Sequence, residues 1–534
     1  MIRYFFVGRD LHPLLLAGFA GALSIHPPLQ PQMQLWRHRS EPVGTVFLAK
    51  AWRGRKTAGM SNQEPTQESA KSPSTKPATL ELCHQVIEEL ATQIKGLNQQ
   101  LLAHEEALAL LQEKLKLNSR NSSKPPSSDG PLGPNRAARR ASVRKRGAQK
   151  GHPGAYRELL PEAEVDAVHE CPPPDHCECG AGVQVRGQAL RHQVFDVPEV
   201  RARVDEYRLY SGVCAGCGKV HQGVLPRGIP RGQMGPRALS IVGYLGTHCH
   251  LTQGKIRDLM AQLLGVDFSI GAVSQAHGKV SEALATPVAQ AVQSMANAPV
   301  VHVDETRYPR EGIGGSWSWS MVTPKVVTFS TLPSRARYVF EGLMGPKPEA
   351  IVVSDRYAVY DSVDVNKRQV CWAHLLRDFT RISERSGAAG QIGRRLLGLG
   401  CVMFRWRGRG CKNYEPLQRR LRTTLQRGAA QSECSRTAKT CANLLRLWPA
   451  LWTFTHHPDV EPTNNAAEQA LRGIVLKRKI SGPTRSRRGE EFIARGFSVL
   501  ESCRRQGRNM LDFLHQAITA WIDHTPGPSL VPTG

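Results

Sequence analysis

Two short, apolar, β-branched runs that each end in an acid constrain this chain more than any other feature. One is Pro299-Val300-Val301-His302-Val303-Asp304 and the other is Ala350-Ile351-Val352-Val353-Ser354-Asp355. Such runs, bounded by polar residues, read as buried strands, so each carboxylate sits where a strand leaves a sheet. A third acid, Glu468, follows Thr463-Asn464-Asn465-Ala466-Ala467 and opens a helical stretch. A single acid at a strand end is commonly structural. Two such acids and a third on a later helix suit the clamping of two divalent cations for phosphodiester chemistry.

The neighbouring residues fix a strand order. Residues 300–305, 316–322 and 326–330 alternate as three strands, 335–344 as a helix, and 350–354 and 368–372 as two more strands. Three meandering strands, a helix, a buried strand and a further strand are the order of an α/β RNase H-like domain, bounded here at 299–482. In that order strands one and four are neighbours, and Asp304 faces Asp355. With Mg²⁺ (or Mn²⁺) ions about 4 Å apart, Asp304 would bridge them, and Asp355 and Glu468 would each complete one side. Asp304 and Asp355 are 51 residues apart, Asp355 and Glu468 113. The second gap exceeds a single connection and predicts a helical insertion at about 383–460, rich in arginine (Arg405, Arg407, Arg409, Arg419, Arg420).

Charge narrows the partner. Lys and Arg number 71 against 45 Asp and Glu, a formal net charge of +26. Such an excess favours a polyanion through phosphate contacts and counterion release, although charge alone also allows a membrane surface or ribosomal RNA. No run reaches the ~18 apolar residues of a membrane span. The 13 cysteines are odd in number and form no regular disulfide framework, which points to a reducing compartment.

Five cysteines cluster. Cys214-Ala215-Gly216-Cys217-Gly218 is a well-formed knuckle, whereas Cys177 and Cys179 have only one residue between them. A structural Zn²⁺ held by Cys177, Cys179, Cys214 and Cys217 is expected, with Cys171 or His176 as the alternative ligand. Strands at 193–198 and 204–210 would complete a β-rich zinc module over 159–228.

Residues 1–78 are expected to be disordered or a mis-assigned N-terminal extension, with translation beginning at Met60. Leu80, Cys83, Ile87, Leu90, Ile94, Leu97, Leu101, His104, Leu108, Leu111 and Leu115 recur at spacings of three and four, which predicts a coiled coil over 79–117 and a homo-oligomer. Residues 118–158 read as a solvated basic linker, with Arg139, Arg140, Arg144, Lys145 and Arg146 lying along DNA phosphates. Residues 229–298 read as helices compatible with helix-turn-helix, and 483–534 as a C-terminal helical segment and tail. Near Glu468, Asn464 and Asn465 are candidate helix caps and Arg472, one turn on, a phosphate ligand. Lys477, Arg478 and Lys479 begin a basic stretch suited to the DNA backbone. His374 either assists near the metals or packs.

From about residue 79 to 522 the chain resembles the insertion sequence 66 family of bacterial DDE transposases. The match rests on the heptad helix, Asn121-Ser122-Ser123-Lys124-Pro125-Pro126-Ser127-Ser128-Asp129, Gly151-His152-Pro153-Gly154 and the cysteine module. It continues with His302-Val303-Asp304-Glu305-Thr306, Ser354-Asp355-Arg356-Tyr357, Cys371-Trp372-Ala373-His374 and Thr463-Asn464-Asn465-Ala466-Ala467-Glu468-Gln469-Ala470-Leu471-Arg472. The resemblance implies that Asp304, Asp355 and Glu468 are the metal-binding acids. It implies an enzyme that binds the terminal inverted repeats of its element, cleaves the 3′ ends and joins the freed 3′-OH to target double-stranded DNA. It also implies a bacterial, cytoplasmic and nucleoid-associated setting, with accessory transposition proteins as possible partners. The crowded first knuckle departs from the pattern and leaves one zinc ligand open, and residues 1–59 have no counterpart. An RNase H-like nuclease that cuts without joining, or an inactive or domesticated DNA-binding derivative, are the alternatives.

Overall fold

A computed structural model describes residues 77–122, 157–312, 315–431 and 434–532. The proposed extension and Met60 start, and Arg139, Arg140, Arg144, Lys145 and Arg146, lie outside the described residues. The chain divides into two compact units, one ending at Leu97 and the other beginning at Asn98.

The heptad residues form a single helix, α1 (Pro77–Leu115). In the first unit Ile87, Leu90, Ile94 and Leu97 of the seam face solvent, and in the second unit Leu101, Leu108 and Leu111 do the same. A seam this apolar and exposed is an unpartnered face.

The solvated linker expected from residue 118 is corrected at its start. Asn118 and Asn121 close a turn over the end of α1, with Asn118 N donating to Asn121 Oδ1 (2.9 Å) and Asn121 Nδ2 to Lys116 O (3.1 Å). Asn121 is 2% exposed and also donates to Glu384 Oε2 at 2.8 Å. Short amides that bond nearby backbone make such turns; here one amide also reaches a distant carboxylate.

The cysteine segment holds one short hairpin, β1 (Ser211–Val213) against β2 (Val220–Gln222). The strands expected at 193–198 and 204–210 are not present. Those stretches run without a ladder, and around them charged side chains pair two residues apart: Arg201 with Glu199, Arg203 with Asp205, Arg208 with Glu206. In an extended chain residues two apart share a face, so these pairs form in solvent without a neighbouring strand.

Four helices follow: α2 (Pro236–Thr247), α3 (Gln253–Leu264), α4 (Ile270–Ala283) and α5 (Ala285–Met295). Thr252 caps α3 through Lys255 N, Gly265 ends it at φ 64°, and Ser269 caps α4 through Ala272 N, as side-chain oxygens and left-handed glycines do at helix ends. The helix-turn-helix expectation meets a difficulty at α4. Its Val273, Ala276, His277, Gly278, Val280, Ser281 and Ala283 are buried, and the exposed positions Ile270, Gly271, Gln275 and Glu282 include no cation.

The sheet that follows is mixed and five-stranded. Its strands are β3 (Val300–Arg307), β4 (Trp317–Val322), β5 (Val327–Leu332), β6 (Ile351–Ser354) and β7 (Arg368–Val370), in the order β5-β4-β3-β6-β7. β3, β4 and β5 are antiparallel neighbours, while β3 and β6, and β6 and β7, run parallel. Helix α6 (Arg337–Met344) connects β5 to β6, and α7 (Trp372–Ser383) follows β7. The arginine-rich gap holds α8 (Gly387–Gly408), α9 (Glu415–Ala430) and α10 (Ser435–Arg446). They pack around Leu396, Met403, Leu417, Leu421, Leu425 and Trp452 in a core that also takes in Val353 of β6, Val370 of β7 and Trp372 and Phe379 of α7. Helices α11 (Asn465–Ser481), α12 (Arg487–Gln506) and α13 (Met510–Asp523) complete the chain. A second core runs from Leu239 and Val280 through Val301, Val303 and Trp319 to Phe497, Phe513 and Leu530, so α2–α5 and α11–α13 share it with the sheet.

Candidate active site

The register of β3 on β6 pairs Val301 with Val352 and His302 with Val353. Continued two residues along both strands, it sets Asp304 opposite Asp355, one at the sheet's parallel junction and the other just past the end of β6. Side chains of paired residues on neighbouring strands share a face. Asp304 is half-buried. Burial first, and then the charges of Glu305, Asp355 and Glu468, push its carboxyl well above the ordinary range. Glu468, on the first turn of α11, is thus near enough to act on Asp304 across more than a hundred residues of sequence. The three acids are therefore electrostatic neighbours, although their carboxylate oxygens do not form a group within 4.8 Å of one another.

Each acid is held from behind. Asp304 Oδ1 accepts from Glu305 N at 3.0 Å, and Asp355 Oδ1 from Tyr357 N at 2.8 Å. The backbone at Asp355 is braced by the fully buried Arg368, which donates to Asp355 O at 3.0 Å and to Asp361 at 2.7 Å. Arg356 ties the same corner to α7 through Asp378 (2.8 Å) and to α10 through Asn443 (3.0 Å).

Glu468 is held differently. Helix α7 buries Trp372, Leu375, Phe379 and Ile382 on one face, and a spacing of three and four leaves His374 and Arg377 on another. His374 Nδ1 lies 3.5 Å from Glu468 Oε1, and Arg377 Nη2 lies 3.6 Å from Glu468 Oε2. Arg377 Nη1 is in turn 3.2 Å from His374 Nε2. Glu468 Oε1 has no hydrogen-bond partner although it is buried, and a buried oxygen without one calls for an explanation.

Asn464 differs from its expected capping role. It occupies the N-cap of α11 but makes no side-chain cap. Its Nδ2 donates to Val303 O at 2.8 Å, its Oδ1 meets His302 Nδ1 at 3.2 Å, and its backbone N–H donates to Cys371 Sγ at 3.1 Å. The amide therefore sews the start of α11 to β3 and α7. Because Asn464 is wholly buried, facing the sheet satisfies its polar atoms where facing the helix would leave Val303 O without this donor.

Glu305 and its partners escape a reading of the sequence. Tyr360 O–H donates to Glu305 Oε2 at 2.5 Å, and Arg335 lies 3.9 Å from Glu305 Oε1, stacked over Trp317 and Tyr357. Burial raises the Glu305 carboxyl to about 7. Only the adjacency of Glu305 to Asp304 signals it. Arg377 had a better signal, since it follows His374 by one helical turn.

The basic positions separate. Arg472 is exposed one turn beyond Glu468. Lys477 corrects the expected phosphate contact: it is 5% exposed, and its Nζ donates to Leu251 O at 2.7 Å. Burial lowers it to about 8. It lies on the Ala470–Ile474 face of α11, and a long aliphatic stem allows a lysine there. Arg478 donates to Arg307 O, and Lys479 is exposed.

Among the described residues, the one group of three candidate ligands within 4.8 Å is Cys371, His374 and Glu468. Its thiol is a poor donor to a metal. Burial raises Cys371 to about 11, and its sulfur already accepts from Asn464 N. The knuckle cysteines pair within each half, Cys177 beside Cys179 and Cys214 beside Cys217, with the Cys177 and Cys214 thiols lowered chiefly by backbone N–H donors. The two halves do not meet as one cluster, and neither Cys171 nor His176 joins them in one.

Residues 231–491 match the model of a transposase family, which sets the class of protein. The family is the one described as "Transposase IS66 family", and the chain belongs to it over this span, which contains Asp304, Asp355 and Glu468. Residues 74–158 match a "Family of unknown function (DUF6444)". The chain is also similar to "Uncharacterized protein y4hP" of Sinorhizobium fredii, 23% identical over 403 residues, 66% of this chain and 71% of that protein. Among the described residues no helix is long and apolar enough to cross a membrane.

Proposed function

We propose that this transposase is an RNase H-like DDE enzyme in which Asp304, Asp355 and Glu468 form the catalytic centre. It binds the terminal inverted repeats of its element, hydrolyses the phosphodiester at each 3′ end, and joins the freed 3′-OH to target DNA. The observation that carries the reading is the placement of three carboxylates on β3, the end of β6 and α11, where burial and then the charges of Glu305, Asp355 and Glu468 raise Asp304. Crowded acids are costly unless cations lie among them.

The donor set fits Mg²⁺ or Mn²⁺: hard carboxylate oxygens, one of them on Glu468 buried with no partner. Bound there, the ions supply Lewis-acid stabilisation of the phosphoryl oxygens. The chain's own residues do the rest. Tyr357 N and Glu305 N hold the two aspartates, His374 and Arg377 aim Glu468, and Asn464 fixes the helix that carries it. Arg472, exposed and one turn along, is available to a phosphate oxygen. Hydrolysis and joining are both displacements at phosphorus, so one set of acids serves both.

Cys177, Cys179, Cys214 and Cys217, with Cys171 or His176 as the alternative, would hold a structural Zn²⁺ only if the two halves closed on each other; the Cys177 and Cys214 thiols, lowered by N–H donors, suit such an ion. The exposed seam of α1 would pair protomers as a coiled coil, so that both ends are processed together. The decisive assay supplies duplexes ending in the inverted repeats together with a target plasmid. Joined products support the reading, and cutting without joining replaces it with a nuclease.

A further inference from the structure

We propose that the groove between α8 and α9 is a binding site for the phosphodiester backbone of duplex DNA, separate from the catalytic acids. The inference rests on DNA as the substrate. Between residues 383 and 460 the chain has 14 Lys and Arg and four acids, Glu384, Glu415, Glu433 and Asp459. The insertion is thus far more basic than the chain as a whole.

The arginines are placed as well as numerous. Arg394, Arg395, Arg419, Arg420 and Arg427 line one groove of 680 Å³. On α9 they fall at spacings of one, seven and eight, which is one helical face. The opposite face buries Leu417, Leu421 and Leu425. All five are exposed. Among the described residues none pairs with an acid, and the one guanidinium hydrogen bond is from Arg394 to Ser383 O at 3.4 Å. At Gly398, which lines the groove one turn past Arg394 and Arg395 on α8, an added Cβ would meet nothing within 4 Å.

Five like charges on facing helices repel one another, which a polyanion relieves. Extent decides which polyanion. Arg419 to Arg427 spans about 12 Å of helix at ~1.5 Å per residue. One DNA strand carries three to four phosphates over that length at ~3.4 Å each, whereas a single phosphate meets one or two guanidiniums. The groove therefore suits a run of phosphates, and arginine forks suit their oxygens.

The test uses the full chain and a fluorescent duplex several helical turns long, with affinity measured across a salt series. Replacing Arg395, Arg419, Arg420 and Arg427 together by Ala should lower the magnitude of the log K against log salt slope by about three to four and weaken binding at least about tenfold at low salt. Replacing the same four by Lys should retain the slope. Gly398→Glu, which removes no arginine and has open space for its side chain, should also weaken binding. Because all these positions are exposed, unfolding midpoints should match the parent. An unchanged slope in the Ala variant overturns the proposal, as does tripolyphosphate that displaces the duplex at concentrations matching the duplex itself. A chain that loses the slope but never cuts DNA keeps this inference and loses the transposition mechanism; one that cuts and joins with an unaltered slope does the reverse.

Discussion

Glu468 Oε1 and His374 Nδ1 face each other at 3.5 Å, and each is buried without a hydrogen-bond partner. The pair joins two segments that lie almost a hundred residues apart, on either side of the insertion. Its geometry makes His374 a positioning residue: it aims a carboxylate. His374→Ala is expected to slow strand cleavage by roughly 10–100-fold and to raise the Mg²⁺ concentration at half-maximal rate, with end binding unchanged. An unaltered Mg²⁺ titration would show that His374 only packs.

The surroundings of Asp304 oppose its ionisation. Without divalent cations at neutral pH, Asp304→Asn should raise the unfolding midpoint, because it removes a buried carboxyl from beside Glu305, Asp355 and Glu468. Adding Mg²⁺ should stabilise the parent, by about 2.7 kcal/mol at a hundred times its dissociation constant, and should leave the variant nearly unmoved. Equal Mg²⁺ stabilisation of both proteins would place the cation elsewhere.

Asn464 is expected to be a stability residue as much as an activity residue. Asn464→Ala leaves Val303 O and the ring of His302 without partners in a buried site. The cost is about 1–3 kcal/mol, read as a lower urea midpoint, accompanied by loss of cleavage as the start of α11 loosens. A variant of parental stability would contradict the bridging role.

His277 provides a pH dependence. It is buried and stacked on Phe492 with centroids 4.0 Å apart, and burial, helped by Lys477 and Arg488, lowers it to about 3. Between that value and the ordinary ~6.5, the unfolded chain takes up a proton that the folded chain refuses. Stability from this group is complete above pH 6.5 and declines as pH falls below it, by about 1.4 kcal/mol per pH unit. His277→Gln should flatten the acid limb of the unfolding midpoint between pH 6.5 and 5. An identical limb would mean the ring is protonated in the folded state.

Glu113, near the end of α1, is gripped by Arg385 at 2.8 Å and by Arg436, with Arg381 at 3.6 Å. Glu113→Ala should ease local opening of residues 98–122 by about 1.5–3 kcal/mol, seen as faster amide exchange there. Unchanged exchange would show that Asn121 alone holds the segment.

The sheet was legible because its strands are apolar, β-branched and bounded by polar residues. Residues 300–305 and 350–354 were read nearly as β3 and β6 stand, and their acids with them. The third acid was legible as a helix opening, and the gap before it as an arginine-rich insertion. What escaped reading depends on partners distant in sequence. Lys477 looks like part of a basic stretch until Leu251 O is seen to receive it, and Asn464 looks like a cap until Val303 and His302 are seen beside it. The alternating residues near 193–198 and 204–210 have strand composition but no neighbouring strand. Glu305 carries no periodic signal, because an isolated charge becomes meaningful only where the fold gives it a neighbour.

Asp304 is proposed to belong to the catalytic centre and not to the DNA-binding surface. Mg²⁺-dependent cleavage of inverted-repeat duplexes by Asp304→Ala, measured beside end binding on the same preparation, tests this assignment. Cleavage should be lost and binding remain largely intact. Substantial Mg²⁺-dependent cutting by that variant would contradict it.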